Sequence, residues 1–234
     1  MAGPPGDVPD DAARWWRAYL LAERDQDGEL RALAAAGDDH ARRQLASWLS
    51  DRAAANRTPS DRVMLEEAVE LIRPLADAGD DVADLWLARW LADCDCLDEL
   101  RRRADSGSYH AVRELVRLLA EHDMLDELRE RADGGSYPAL AELARRLAQR
   151  DMHGELRELA VAADPGKREL ILAAAGEGAT GGLDVLRVLA DLGEKRGRVW
   201  LARRLAREGQ LDELRQRAEN GDEYARHWLT EQPH

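Results

Sequence analysis

Seven arginines recur at one position of a sequence repeat, each just after a Leu-Asp-Glu-Leu phrase or a weaker copy of it. A guanidinium presents a planar fork of donors that matches a carboxylate, so such a row predicts contacts with an acidic peptide or another anion. The alternative is that each arginine pairs with an acid four residues on, as Arg73 would with Asp77, or with a neighbouring helix. The seven are Arg31, Arg73, Arg101, Arg129, Arg157, Arg187 and Arg215.

Tryptophan also recurs at fixed positions of the repeat. Trp86 and Trp90 lie one helical turn apart, and Trp200 repeats the position of Trp86. Exposed Trp and Arg dominate binding interfaces, so these side chains are candidate contacts, with packing inside the fold as the alternative. The predicted partner-binding residues are therefore Arg73, Arg101, Arg129, Arg157, Arg187, Arg215, Trp86, Trp90 and Trp200.

Two further motifs could carry chemistry, but their contexts argue against it. Residues 176–181 read Gly-Glu-Gly-Ala-Thr-Gly, which matches a dinucleotide fingerprint without the βαβ unit that it requires, so we predict a loop. Cys94 and Cys96 have no second cysteine pair, and the six histidines are scattered, so we predict free thiols. No catalytic grouping is visible from spacing. The sequence predicts neither an enzyme nor a metal or other cofactor site.

A repeat of 28 residues positions these side chains. Its copies begin near residues 27, 69, 97, 125, 153, 183 and 211. Apolar residues at helical spacing come first, then a Gly in six of the seven copies, then Asp or Ser, then a longer Ala/Leu stripe. Gly ends a helix in the left-handed conformation, and Asp or Ser caps the next one. Each copy therefore predicts a helix of about nine residues and another of about fifteen.

These helix pairs predict an all-α protein, an α-solenoid of about seven two-helix repeats. Neither helix can bury its apolar stripe alone, so neighbouring pairs must stack. We expect a flexible leader at residues 1–10 and one repeat domain at 11–234, opened by a capping helix at 11–24. An insertion at about 51–62 should lengthen the first helix of the second repeat, with Thr58 as its cap. Pro74 should kink that helix or end it early.

Charge and composition narrow the classes of partner. The 234 residues hold 34 Lys and Arg against 47 Asp and Glu, a net charge of −13. This charge repels nucleic acid and anionic membranes, so we expect neither partner. The sequence has no signal-peptide pattern and no apolar span, and its two cysteines exclude a disulfide scaffold, so we expect a cytoplasmic protein. Its Arg and Ala bias is typical of an actinobacterial genome, and its oligomeric state stays open.

The repeat resembles the Sel1-like and tetratricopeptide families. Residues 75–83 read Leu-Ala-Asp-Ala-Gly-Asp-Asp-Val-Ala, and Leu87, Ala88 and Leu91 follow at the spacing of those repeats. The unit is shorter than the roughly 34 residues of a tetratricopeptide repeat, and Leu replaces the usual aromatic late in the second helix. The resemblance implies a protein-binding scaffold without catalytic residues. The alternative is a protein that sequesters a small molecule or natural product, and a nucleic-acid-binding helical repeat is less favoured by the charge.

Overall fold

The computed structural model describes residues 10–56, 59–176 and 183–231, and every regular element in these ranges is an α-helix. The all-α prediction is confirmed for this part of the chain. The helices are α1 (Asp10–Glu23), α2 (Asp27–Ala35), α3 (Asp39–Asn56), α4 (Pro59–Asp77), α5 (Asp81–Asp93), α6 (Leu97–Asp105), α7 (Tyr109–Glu121), α8 (Leu125–Asp133), α9 (Tyr137–Gln149), α10 (His153–Ala162), α11 (Pro165–Gly176), α12 (Leu183–Asp191), α13 (Lys195–Arg207), α14 (Leu211–Glu219) and α15 (Glu223–Glu231).

The chain forms two compact units, Met1–Leu118 and Leu119–His234. In the first unit, α3 packs against α1, α2 and α4, and α4 packs against α5. In the second unit, α9 packs against α8, α10 and α11, while α13 packs against α12, α14 and α15. Within each unit, helices that follow one another in the chain therefore cover one another's apolar faces.

Short and longer helices alternate through most of the described chain. Helices α6, α8, α12 and α14 have nine residues each, as the sequence predicts. Helices α5, α7, α9 and α13 have thirteen, slightly fewer than the predicted fifteen. The difference arises at their carboxyl ends, where a second kind of turn begins.

The turn after each short helix is the one that the sequence predicts. Gly135 follows α8 with φ at 96°, and the Ser136 hydroxyl accepts a hydrogen bond from the Ala139 backbone at 3.4 Å. A left-handed residue ends one helix and a side-chain cap starts the next. The same positive φ occurs at Gly37, Gly79, Gly107, Gly193 and Gly221. The same capping bond is made by Asp38, Asp80, Ser108 and Asp222.

The turns after the longer helices use aspartate instead, which the sequence analysis missed. Asp25, Asp95, Asp123 and Asp151 all have φ between 53° and 62°. Aspartate tolerates the left-handed region better than most residues with a Cβ atom. Gly209 occupies the equivalent place near the carboxyl end, with φ at 70°. An Asp recurring at the residue before last of the repeat was the signal.

The core consists of Leu and Ala from both kinds of helix. On the short helices, Leu30, Leu100, Leu128, Leu156 and Leu214 are fully buried. On the longer helices the buried positions are four residues apart, as in the pair Leu143 and Leu147. Small residues let the helices approach closely. A Cβ atom added at Gly197 would meet the Leu189 Cβ at 3.1 Å, so α13 lies directly on α12 there.

The insertion lengthens α4 to nineteen residues, as predicted, but Pro74 does not end it. The helix continues to Asp77, so an early end at Pro74 is wrong. Proline removes one helical hydrogen bond, and Pro74 lies on the exposed side, where water can reach the carbonyl that loses its donor. Helix α1 spans Asp10–Glu23, one residue earlier than predicted. The expected leader at 1–9, the Thr58 cap and the Gly-rich loop lie outside the described residues.

Replacing Gly135 with Ala should lower the free energy of unfolding by about 1–2 kcal/mol, because a Cβ atom disfavours its positive φ. No atom would clash with that Cβ, so the loss is one of backbone conformation alone. Gly134→Ala is the matched control, since Gly134 has φ at −68° and should change stability little. Urea unfolding of both variants measures the difference. Equal destabilisation of the two would contradict this account of the turn.

Candidate functional site

The arginine row lies in ion pairs that join successive short helices. Arg73 on α4 donates to Glu99 on α6 at 2.9 Å, and Arg187 on α12 donates to Glu213 on α14 at 2.7 Å. Arg129 on α8 pairs with Glu155 on α10. Donor and acceptor are 26 residues apart in each case. The neighbour-helix alternative therefore describes these three arginines.

The glutamate acceptors bind a second arginine on their own helix, which the sequence analysis missed. Glu99 accepts from Arg103 at 3.2 Å, and Arg103 reaches back to Asp77 on α4 at 2.7 Å. Arg73, Glu99, Arg103 and Asp77 thus form a closed chain of charges that we call the Arg–Glu–Arg–Asp network. Half of this network was visible in the sequence as the recurring Arg. The Glu two residues before it and the Arg two residues after it were the remaining signal.

The second unit contains the same network. Glu213 accepts from Arg217 at 3.2 Å, and Arg217 donates to Asp191 on α12 at 2.9 Å. Hydrogen bonding from Arg187 lowers the pKa of Glu213, although partial burial opposes the shift. The same bond raises the pKa of Arg187. Each network keeps its charged forms because every charge faces an opposite one.

The expected bonds from each arginine to the acid four residues on are replaced by bonds in the other direction. Arg73 pairs with Glu70 at 2.6 Å and Arg101 with Asp98 at 2.9 Å, each three residues earlier. Side chains on a helix lean toward its amino end, so an earlier acid is the nearer one. This leaves Asp77 and Asp191 for the arginines of the next short helix.

The remaining arginines of the row differ in their surroundings. Arg31 pairs with Asp27 and with Glu67 on α4, and Arg215 pairs with the exposed Asp212 at 2.9 Å. Arg157 is exposed and makes no ion pair with any residue that the structure describes. The place of its glutamate in the next repeat is taken by Val185. The row is therefore interrupted between α10 and α12.

An open cleft lies beside each Arg–Glu–Arg–Asp network. In the first unit it is lined by Asp77, Glu99, Arg102, Arg103 and Ser106, together with Arg73. In the second unit, the repeat-equivalent lining residues are Asp191, Glu213, Gln216, Arg217 and Asn220. We call these two the short-helix clefts. The network residues are shared between them, whereas Arg102 and Ser106 are replaced by Gln216 and Asn220.

The predicted tryptophan contacts are mostly packing residues. Trp90 is only 6% exposed, and its ring lies 5.8 Å from that of Trp86, which is half-buried. Trp200 is half-buried beneath Arg196, whose guanidinium lies 5.4 Å from the ring. The packing alternative therefore describes Trp90, while Trp86 and Trp200 present part of their rings. The most exposed tryptophans among the described residues are Trp15 and Trp16 on α1.

The two cysteines are free thiols with little thiolate character. Cys94 is buried, and burial together with the nearby Cys96 raises its pKa to about 11. Burial and Glu99 also raise the pKa of Cys96. Among the described residues, no group of three or more His, Cys, Asp or Glu side chains is arranged to hold a metal ion. Within the same ranges, no helix combines the length and apolarity needed to cross a bilayer.

No protein-family model, curated protein or solved structure matches this chain. The resemblance to Sel1-like and tetratricopeptide repeats therefore stays a prediction from the sequence. What the chain offers for comparison is its own internal repetition, namely the two networks and the two clefts.

Replacing Glu99 with Ala should lower the free energy of unfolding by about 1–3 kcal/mol, because it leaves two half-buried guanidinium groups without their shared acceptor. Asp98→Ala is the matched control on the adjacent residue. Its carboxylate is 96% exposed, and its loss should change stability by less than about 0.5 kcal/mol. Urea unfolding at low and high salt measures both variants. A control as destabilised as Glu99→Ala would refute the bridging role.

The lowered pKa of Glu213 predicts a pH dependence. The stability that this carboxylate contributes is present above its ordinary pKa of 4.5 and is lost as the pH falls through its lower folded value. Glu213→Gln should therefore be less stable than the parent at pH 7, and the gap should narrow in acid. Asp212→Asn, at a fully exposed carboxylate, should follow the parent at every pH. Urea unfolding across this range measures the gap, and a pH-independent gap would contradict the assignment.

Proposed function

We propose that this chain is a non-catalytic scaffold that binds a peptide or protein partner along its short helices. The observation that carries the proposal is the recurrence of the short-helix cleft at equivalent positions in both units. Repeat proteins recognise extended partners through such a series of equivalent sites. The shared network gives each cleft the same frame, while the differing side chains let each cleft accept a different part of the partner.

Arg102, Ser106, Gln216 and Asn220 are the side chains on which this recognition would depend. All four are exposed, and Arg102 retains 77% of its side-chain exposure. Arg73, Arg129 and Arg187 already have carboxylate partners, so a ligand would have to compete for them. Their role in the proposal is to hold the short helices in register. Arg157 and Arg215 are the exposed members of the original row and stay candidates for direct contact.

The same proposal includes a stacked α-solenoid of about seven two-helix repeats, of Sel1-like or tetratricopeptide type. Contacts within each unit support it, since successive longer helices such as α9 and α11, or α13 and α15, pack on one another. The ion pairs at 26-residue spacing support it as well, because they require each short helix to lie beside the next. We place the protein in the cytoplasm on the strength of its sequence alone.

The two alternative functions receive less support from the geometry. A small-molecule site is usually enclosed and mostly apolar, whereas both short-helix clefts are open and lined by charged side chains. A nucleic-acid site needs guanidinium groups available to phosphates, and carboxylates occupy those of Arg73, Arg129 and Arg187. The net charge of −13 also opposes nucleic acid.

Site-specific photo-crosslinking in a native lysate tests the proposal. A crosslinking residue at Arg102 or Gln216 should capture the same defined protein, since both lie in the short-helix clefts. A crosslinking residue at Val161 is the control, because Val161 is 52% exposed but belongs to neither cleft. Mass spectrometry identifies the captured species. Capture of nothing, or of the same set of proteins from the control position, would overturn the proposal.

A further inference from the structure

The outer side of α1 carries an exposed aromatic face. Trp15, Trp16 and Leu20 are 38%, 53% and 43% exposed, while Ala18 and Leu21 on the inner side are buried. The rings hold one another in place, since Trp15 stacks on Tyr19 at 5.4 Å between centroids and meets Trp16 edge-on at 4.8 Å. We call Trp15, Trp16, Tyr19 and Leu20 the α1 aromatic face.

This face is unusual for the outer helix of a stack. Helix α1 packs against α2 and α3 through its inner side, so its opposite side should be polar if water were its permanent neighbour. Instead it displays the two most exposed tryptophans among the described residues. A contiguous exposed apolar patch of this kind marks a surface that another molecule covers.

The charges around the α1 aromatic face are basic, although the chain as a whole is acidic. Arg14 and Arg17 flank the two tryptophans directly, and both are exposed. The acids that begin the helix are partly engaged, because Asp11 accepts a hydrogen bond from His40 at 2.9 Å and pairs with Arg14. This lowers the pKa of Asp11. The complement of this surface is therefore apolar at its centre and acidic at its edges.

The size of the face selects a single helix rather than a second copy of the chain. Three partly exposed large side chains present roughly 300 Å² of apolar surface, since a large aromatic buries about 150–250 Å² when fully covered. A stable dimer buries about 800 Å² on each partner. Trp16 and Leu20 lie one turn apart, which matches the i, i+3, i+4 spacing of an amphipathic helix laid along α1.

We propose that the α1 aromatic face docks an amphipathic helix of a partner protein, with Leu-type anchors on Trp15, Trp16 and Leu20 and carboxylates opposite Arg14 and Arg17. The inference rests on the proposed role in binding proteins, but it uses a surface separate from the short-helix clefts. The anchors bury the exposed rings, and the carboxylates pair with guanidinium groups that are otherwise open to water. Selectivity for acidic over basic helices follows from those two arginines.

A pair of designed peptides tests the proposal with the full chain. Each is a fluorescently labelled helix of about 18 residues with Leu along one face, flanked by Glu in one peptide and by Lys in the other. Anisotropy should show saturable binding of the Glu peptide, with Kd on the order of tens of micromolar, and at least tenfold weaker binding of the Lys peptide. Arg17→Glu should reverse this preference.

Variants at exposed positions separate recognition from folding. Trp16→Ser and Leu20→Ser should each weaken the Glu peptide about tenfold or more. Tyr109→Ser and Val161→Ser are matched controls, since these side chains are 62% and 52% exposed elsewhere, and they should leave binding unchanged. Circular dichroism and urea unfolding show whether each variant keeps the parent fold.

Several outcomes would overturn the proposal. They are absence of saturable binding, binding that Trp16→Ser does not weaken, or equal affinity for the Glu and Lys peptides. Sedimentation showing a dimer that Trp16→Ser dissociates would assign the face to a second copy instead. Binding to vesicles of anionic phospholipid that requires Trp16 would assign it to a membrane. Arg102→Ala with Ser106→Ala should leave peptide binding intact, so failure here and failure of the short-helix clefts are distinguishable.

Discussion

Each helix of this chain is too narrow in its apolar stripe to exist alone, and mutual covering of Leu and Ala stripes is the constraint on which everything else depends. Buried Leu on every short helix and paired buried Leu on the longer ones fix which side faces inward. Alanine, and at one contact Gly197, sets how near two helices come. That spacing in turn lets an arginine on one short helix reach a glutamate on the next.

The charged network is best understood as a device for register. Exposed ion pairs contribute little stability, and the Arg–Glu–Arg–Asp networks are only partly shielded from water. Their geometry is nevertheless demanding, because one glutamate must meet two arginines on different helices. A short helix that slipped by one residue would keep its apolar contacts in part but lose every one of these bonds. The network therefore favours one alignment over near alternatives.

Local rules predicted much of this molecule because its local signals agree with its packing. The Gly turns and the Asp or Ser caps were readable since each depends on a few adjacent residues. Partner choice among charges was not readable, because several acids lie within reach of each arginine. Arg31 illustrates this, since its acceptor Glu67 comes from the lengthened α4 rather than from the repeat position. The aromatic face of α1 was also hidden, because helical periodicity does not say which stripe is left uncovered.

The 26-residue step between donor and acceptor bears on how such a gene can grow or shrink. Duplicating or deleting a stretch of 28 residues leaves every guanidinium opposite a carboxylate, whereas any other length breaks the pairing at the junction. Val185 marks a join where this rule has already lapsed, since Arg157 finds no carboxylate in the following copy. Recombination at that join would carry no electrostatic penalty, which makes it the natural seam for exchanging modules.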